Sequence, residues 1–130
     1  MRKQYYLQPR EPGYSAWDVD RLVESTRTFP VISVKLEDIA ELDENFWYGG
    51  AEDVPTVRSM VGHFQLIRET ELEYPIILSE KGRVMDGMHR VAKALLLGHA
   101  EIRAVQFEVD PAPDFLHVYP KDLCYQSDHC

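Results

Sequence analysis

The segment spanning residues 82–98 limits the possible folds of this chain more than any other part. Residues 83–85 have the composition of a β-strand, and Asp86 and Gly87 follow them directly. The apolar residues that come next recur with the spacing of one helical face: Met88, Val91, Ala92, Leu95 and Leu96. Gly98 stands where a helix C-terminal glycine is expected. The segment therefore predicts a strand, a tight glycine turn and a helix of nearly three turns.

Further strands are predicted on both sides of this segment. Residues 74–79 form a strand pattern with a proline at its start, and residues 80–82 form a turn pattern, so the chain should reach Asp86 from a hairpin. Residues 101–109 predict a final strand. Residues 31–36 are rich in β-branched side chains and predict an earlier strand, and residues 37–42 predict a brief helical turn after it.

The two ends of the chain are expected to lie outside the core. The residues up to Gly13 predict an extended arm, and Ser15 is expected to cap a short helix that runs to about Arg27. Pro111 and Pro113 begin an irregular tail. We expect one domain over residues 1–130, with its core at 31–109, an arm and helix at 1–30 and a tail at 110–130. Its class is α/β of the α+β type, a small mixed sheet with helices packed on it.

The composition fits a single globular domain. The chain has 130 residues, of which 45% are hydrophobic and 28% charged. No apolar run approaches the roughly 20 residues that a membrane span needs, and the first residues do not resemble a secretory signal. We therefore expect a cytoplasmic protein with no membrane partner. Cys124, Cys130, His117 and His129 match no standard zinc pattern, so no metal site is expected there.

The charge distribution points to a local anion site. The net charge of −8 disfavours nucleic-acid binding, which draws on many basic side chains. Residues 81–103, however, hold five basic and two acidic side chains, a local balance of +3. An anion should therefore bind in this stretch.

Two other segments border the predicted core. Thr56 is a natural cap for a helix whose apolar residues share one face: Val57, Met60, Val61, Phe64 and Ile67. Residues 43–55 predict an irregular stretch in which Phe46, Trp47 and Tyr48 precede two glycines. These aromatics either cap the core or form a mobile loop that covers a ligand.

The turn at residues 86–90 has the chemistry of a phosphate site. Gly87 allows the backbone to come close to a ligand, and the helix that follows presents unpaired N–H groups with a partial positive charge. His89 and Arg90 fall in the first helical turn and can add charge-assisted hydrogen bonds to an anion. The simpler alternative is that Asp86 is an N-cap, Gly87 a turn residue and Arg90 a solvated surface charge.

Residues 82–98 resemble the signature segment of the ParB/sulfiredoxin superfamily, in which a strand leads into a Gly-x-His-Arg turn and a helix. The resemblance is strong over residues 74–107 and extends back to residue 31. It implies that Gly87, His89 and Arg90 contact the phosphates of a nucleotide such as ATP or CTP. It also places Met88 in the binding turn and Asp86 and Lys93 near it.

The resemblance also separates the branches of that superfamily. Sulfiredoxins carry a catalytic cysteine where this chain has Met88, so sulfiredoxin chemistry is not expected. Partition proteins add a DNA-binding domain after the nucleotide fold, and the chain is expected to lack it.

Small ParB-like kinases are the branch that this segment resembles in its Asp-Gly-x-His-Arg form. They need a carboxylate base near the acceptor hydroxyl and Mg²⁺ on the phosphates. Glu37, Asp38 or Glu41 could supply that base, or each could be an ordinary solvated charge.

Three functions therefore stay open. The first is a protein that binds a nucleotide triphosphate with Mg²⁺ and hydrolyses it or transfers its terminal phosphoryl group to a small molecule. The second is a noncatalytic interaction or regulatory module with a protein partner. A nuclease is third, because the chain is acidic and its sequence contains no evident metal-binding carboxylate cluster.

Overall fold

The computed structural model describes residues 3–49 and 53–125, which form two sheets and three α-helices. The elements follow in chain order as β1 (Tyr5–Pro9), β2 (Tyr14–Asp18), α1 (Val19–Ser25), β3 (Ile32–Lys35), α2 (Val57–Glu69), β4 (Ile76–Leu78), β5 (Val84–Asp86), α3 (Met88–Leu96), β6 (Glu101–Gln106) and β7 (Phe115–Val118). Short 3-10 helices lie at Leu36–Asp38, Ala40–Asp43 and Pro120–Asp122. Within the described ranges, no helix is long and apolar enough to cross a bilayer.

The larger sheet has four strands in the order β3-β6-β4-β5. β6 pairs antiparallel with β3 and parallel with β4, and β4 and β5 form the antiparallel hairpin that the sequence predicts. The small mixed sheet of an α+β protein is thereby confirmed. The second sheet, β1-β2-β7, is antiparallel throughout and was not predicted.

The core lies on both faces of the larger sheet because its inner strand β4 is apolar on both sides. Ile76 and Leu78 of β4 point to one face, which is covered by α3 and the 3-10 helices. Ile77 points to the other face, where it packs with Trp17 of β2 and Leu22 of α1. Both faces of β4 are therefore buried, as expected for a central strand that reads as a continuous apolar run.

The predicted short helix before Arg27 is present as α1, but the predicted extended arm and the cap at Ser15 are wrong. The arm forms the hairpin of β1 and β2, and Ser15 is a buried residue of β2. The helix starts at Val19, and Asp18 caps it by accepting a hydrogen bond from the Asp20 N–H. β2 is the central strand of its sheet, and pairing on both edges keeps Ser15 extended.

The predicted irregular tail is also wrong in part. β7 lies within it and pairs antiparallel with β2. Leu123, farther along the tail, is buried. The core therefore draws on residues before 31 and after 109, because these distant segments build the second sheet together.

Candidate functional site

Gly87 joins β5 to α3 in a backbone conformation that other residues rarely adopt. Its φ is 107° and its ψ is 23°, in the left-handed region. A Cβ atom at this position would lie 2.7 Å from Cγ2 of Ile76, a fully buried residue of β4. Glycine is needed here both for the turn and for the close contact with β4. The predicted glycine turn before a helix is confirmed.

The N-terminus of α3 has no side-chain cap. Gly87 occupies the N-cap position, where Ser, Thr, Asp or Asn would ordinarily accept a hydrogen bond from the first turn. Asp86 is the last residue of β5, so the alternative in which it caps the helix is wrong. The N–H groups of the first turn carry the partial positive charge of a helix start and present it without a capping carboxylate.

A cavity of about 780 Å³ lies at this helix start. All the residues of the turn, 86–90, line it. Other parts of its wall come from β1 and from the loop before α2, including Tyr5, Tyr6, Phe46 and Trp47. Charged side chains of both signs reach it, and they are Lys3, Glu69, Asp86 and Arg90. The cavity thus combines aromatic walls with the polar groups of the turn.

Arg90 is held at one end of its guanidinium group. Its Nη2 donates to Oδ2 of Asp86 at 3.1 Å and to the Pro75 carbonyl oxygen at 3.4 Å. Its Nε is buried and has no hydrogen-bond partner among the described residues. Because an arginine carries five N–H donors in a planar fork, this side chain is anchored and still has donor capacity to offer.

His89 forms a hydrogen bond with His63 of α2. Nδ1 of His63 and Nε2 of His89 are 2.8 Å apart, so one nitrogen donates and the other accepts. The ring planes differ by 20° with centroids 5.1 Å apart, so the rings meet edge to edge. Trp47 stacks on both of them, with centroid distances of 4.4 Å to His63 and 4.8 Å to His89. The hydrogen bond joins α2 to α3 beside the cavity, and the indole ring of Trp47 covers this hydrogen bond.

This arrangement keeps His89 uncharged at neutral pH. Burial of the imidazole lowers the pKa of His89 to about 4, and the positive charges that His63 and Arg90 can carry act in the same direction. Burial also lowers the pKa of His63, against the opposing charge of Asp53. A neutral His89 offers a hydrogen-bond donor or acceptor to the cavity and adds no charge to it.

The ring resonances of His89 are expected to titrate in an NMR experiment with a midpoint near pH 4. The unfolded imidazole has a pKa of about 6.5, so the unfolded chain binds more protons between about pH 6.5 and 4, and the free energy of unfolding should fall as the pH falls through this window. In His89→Gln, the free energy of unfolding should no longer show the part of this pH dependence that comes from His89. A midpoint near pH 6.5 in the wild type would contradict the burial of this ring.

Lys93 does not line the cavity. Its Nζ donates to the Arg68 carbonyl oxygen at 3.0 Å and to the Thr70 carbonyl oxygen at 2.7 Å. These are carbonyl groups at the C-terminal end of α2, which a lysine ammonium can cap. The resemblance implies that Lys93 lies near the phosphates. In the structure Lys93 instead joins α3 to the C-terminal end of α2.

Glu41 is buried and belongs to the fold. Its Oε2 accepts a hydrogen bond from the backbone N–H of Val84 and lies 3.4 Å from Nε of Arg83. Only about 1% of its side chain is exposed. A general base for a ligand at the turn has to reach that cavity, and Glu41 does not line it. Its Oε2 is bonded at the start of β5 instead. The structure thus contradicts both the catalytic role of Glu41 and its alternative as a solvated charge.

Glu37 and Asp38 are exposed on the first 3-10 helix. Glu37 lines a different cavity, together with Leu95 and His99 at the C-terminal end of α3. The turn at 86–90 is at the other end of this helix, about 13 Å away along its axis. The structure therefore brings residues 86–90 together and does not bring Glu37 to them.

His63 and Trp47 are the site residues whose contacts the sequence did not reveal. His63 stands four residues before the buried Ile67, so its position on the inner side of α2 could have been found from helical spacing. Trp47 caps the core, one of the two roles expected for the aromatics, and also lines the cavity. Its stacking on two histidines depends on distant contacts that no local pattern encodes. Gly50, the second glycine of that stretch, lies outside the described residues.

Comparisons with protein-family models, with curated proteins and with solved structures found no match.

Proposed function

We propose that this chain belongs with the ParB/sulfiredoxin-like proteins and binds the phosphates of a nucleotide, ATP or CTP, at the N-terminus of α3. One observation carries the proposal. The N-terminus of α3, which has no side-chain cap and begins at Gly87, opens into a cavity of about 780 Å³, and His89 and Arg90 also line this cavity. Phosphate oxygens accept hydrogen bonds from such N–H groups and gain from the helix dipole. The cavity volume lies within the range of small-molecule sites.

Arg90 supplies the charged hydrogen bonds in this proposal. Its anchoring by Asp86 and by the Pro75 carbonyl fixes the guanidinium before a ligand arrives, which lowers the entropy cost of binding. The aromatic walls offer apolar surface for the rest of the nucleotide.

Mg²⁺ fits this donor set only as an ion shared with the ligand. Asp86 is an oxygen donor at the phosphate end of the cavity, and Mg²⁺ is commonly held by one or two carboxylates together with substrate phosphates. The described residues contain no cluster of three or more His, Cys, Asp or Glu that could hold a metal alone. Bound in this way, the ion would neutralise phosphate charge beside Asp86.

The positions of the three predicted base residues favour a second candidate, a noncatalytic nucleotide-binding module. None of the three lines the cavity: Glu41 is buried in the fold, Glu37 lies at the far end of α3, and Asp38 is exposed beside Glu37. Asp86 and Glu69 are the acidic side chains that line the cavity. Phosphoryl transfer to a small molecule, or hydrolysis, would therefore need a base other than the three. Incubation with ATP and Mg²⁺ across a metabolite panel separates the candidates, because only an enzyme produces ADP.

Arg90→Ala is expected to weaken nucleotide binding by about 1.5–3 kcal/mol, or roughly 10- to 100-fold, because hydrogen bonds to charged groups contribute about this much. Calorimetric titration with ATP, ADP and CTP, with and without Mg²⁺, measures it. Arg103→Ala is a matched control, since Arg103 is exposed on β6 and does not line the cavity.

A second variant protects this test against a folding defect. Arg90→Lys keeps the positive charge but loses the planar fork, so it should bind with intermediate affinity while circular dichroism reports an intact fold. The proposal fails if the folded wild type binds none of the three nucleotides under any of these conditions.

A further inference from the structure

His63 lies behind the cavity wall and contacts a residue of that wall. His89 lines the cavity, whereas His63 is not among the described residues that line it. The two side chains are joined by the 2.8 Å hydrogen bond between Nδ1 of His63 and Nε2 of His89. His63 can therefore act on a ligand in the cavity through His89.

Two aromatic side chains hold the ring of His63 in place. Trp47 stacks on it with 18° between the ring planes, and the same indole stacks on His89 with 16°. Tyr48 packs against the His63 ring at 83°, with the ring centroids 5.6 Å apart. The hydroxyl groups of Tyr48 and Ser59 are hydrogen-bonded at 3.1 Å, which ties Tyr48 to α2. These contacts fix which nitrogen atoms of the two imidazole rings face each other.

The hydrogen bond between the rings also decides which nitrogen of His89 carries its proton. Burial lowers the pKa of both histidines, so both rings are neutral at neutral pH, and a neutral imidazole has one donor and one acceptor nitrogen. If His63 donates, Nε2 of His89 accepts and the proton of His89 is on Nδ1. If His89 donates, its Nδ1 is left as an acceptor. Nδ1 of His89 has no hydrogen-bond partner among the described residues, so it is the nitrogen that remains for a ligand.

We infer that His63 is a positioning residue of the proposed nucleotide site: it donates to Nε2 of His89 and so keeps an N–H at Nδ1 for a phosphate oxygen. Phosphate oxygens are hydrogen-bond acceptors, and an acceptor nitrogen would repel them. The N–H groups at the start of α3 and the guanidinium group of Arg90 are donors, so an N–H on His89 adds a further donor for the same anion. The inference rests on the proposed function, because the phosphate is what makes the donor form useful.

Without His63 the other form of His89 is favoured. A neutral histidine in water carries its proton mainly on Nε2, which leaves Nδ1 as the acceptor. A hydrogen bond at one ring nitrogen determines the protonation of the other, so a donor at Nε2 reverses this preference. His63 supplies that donor from α2, and the stacked indole of Trp47 keeps the two rings aligned.

NMR spectroscopy of the ligand-free protein with isotope-labelled histidine tests the inference directly, because the protonated and unprotonated ring nitrogens have different chemical shifts. At neutral pH we expect the proton of His89 on Nδ1 in the wild type and largely on Nε2 in His63→Leu. His63→Asn should keep it on Nδ1, because the asparagine amide nitrogen can donate from nearly the same position. A wild-type His89 with its proton on Nε2 overturns the inference, as does a His89 that is unchanged in His63→Leu.

Calorimetric titration with ATP and Mg²⁺ separates positioning from support of the fold. His63→Leu should bind about tenfold more weakly than the wild type, because a hydrogen bond to a charged ligand is lost, and His63→Asn should restore most of the affinity. In a His89→Ala background, His63→Leu should cause no further loss. His99→Leu is the matched control, because His99 is exposed and does not line the cavity. A loss of the same size with and without His89 would leave His63 a structural role alone and overturns the inference.

The two experiments distinguish failure of this inference from failure of the proposed function. If the wild type binds none of ATP, ADP and CTP, the phosphate is not the ligand, but a proton on Nδ1 that responds to His63→Leu still identifies His63 as the residue that positions His89. If the wild type binds a nucleotide with the proton of His89 on Nε2, the inference fails and the proposed function stands.

Discussion

Gly87→Ala is expected to lower the free energy of unfolding by about 2–5 kcal/mol. An L-residue in the left-handed region costs about 1–2 kcal/mol, and forcing an extra carbon into a packed core typically costs about 1–3 kcal/mol. Both costs apply here, because φ is 107° and the new Cβ would lie 2.7 Å from the Ile76 side chain. Ile76 is completely buried at the centre of the larger sheet, so it has little room to move. Urea unfolding followed by circular dichroism measures the loss.

Substitutions at two other glycines separate the cost of backbone strain from the cost of the contact with Ile76. Gly98 also has a positive φ, of 78°, but a Cβ there would meet nothing within 4 Å, so Gly98→Ala should show only the strain, about 1–2 kcal/mol. Gly62 lies inside α2 with open space around it, so Gly62→Ala should raise stability by about 0.5–1 kcal/mol. Equal losses at positions 87 and 98 would show that the contact with Ile76 costs nothing.

The part of the fold that could be predicted is the part whose signals are local. The segment 82–98 contains a strand, two positive-φ glycines at its helix ends and an apolar helical face, and each of these constrains only its close neighbours. Thr56, whose hydroxyl oxygen accepts a hydrogen bond from the Ser59 N–H three residues later, is likewise predicted as the cap of α2 and is that cap. Residues 86–90 therefore came together at one cavity wall as the sequence indicates.

The second sheet could not be predicted because its central strand depends on a distant partner. β2 pairs with β7, which lies almost at the other end of the chain. Ser15 has the local features of a helix cap, but the pairing of β2 on both edges outweighs that preference. Helical periodicity has a similar limit at α2, since it shows that Val61 and Phe64 share a face and says nothing about what covers that face.

The role of Glu41, a candidate catalytic residue, also could not be predicted from local sequence patterns. In the sequence Glu41 could be a solvated charge or a general base, and it stands between Ala40 and Leu42. In the structure it crosses to β5 and accepts a hydrogen bond from the Val84 N–H. No local pattern connects the Ala40–Asp43 helix with a strand more than forty residues later. The role of this carboxylate follows from the pairing of the two segments.

Glu41→Ala is accordingly expected to lower the free energy of unfolding by about 2–4 kcal/mol. The substitution leaves the buried N–H of Val84 without an acceptor and empties the space of a buried side chain, and both losses are costly away from water. It also removes one partner of Arg83, which is partly exposed and keeps Glu44. Glu41→Gln should lose less, because an amide oxygen can still accept from Val84. Chemical denaturation of the two variants beside the wild type measures both changes.

The matched control is Glu44→Ala, because Glu44 binds the same arginine from an exposed position. Its two oxygens accept from Arg83 at 2.9 and 2.6 Å, and an exposed pair of this kind adds little stability, so the variant should unfold close to the wild type. Turnover distinguishes the structural role of Glu41 from a catalytic one. If Glu41 were a general base, Glu41→Gln would abolish any phosphoryl transfer while keeping most of the stability. If it acts through the fold, as its burial indicates, any activity should fall only as far as the folded fraction falls.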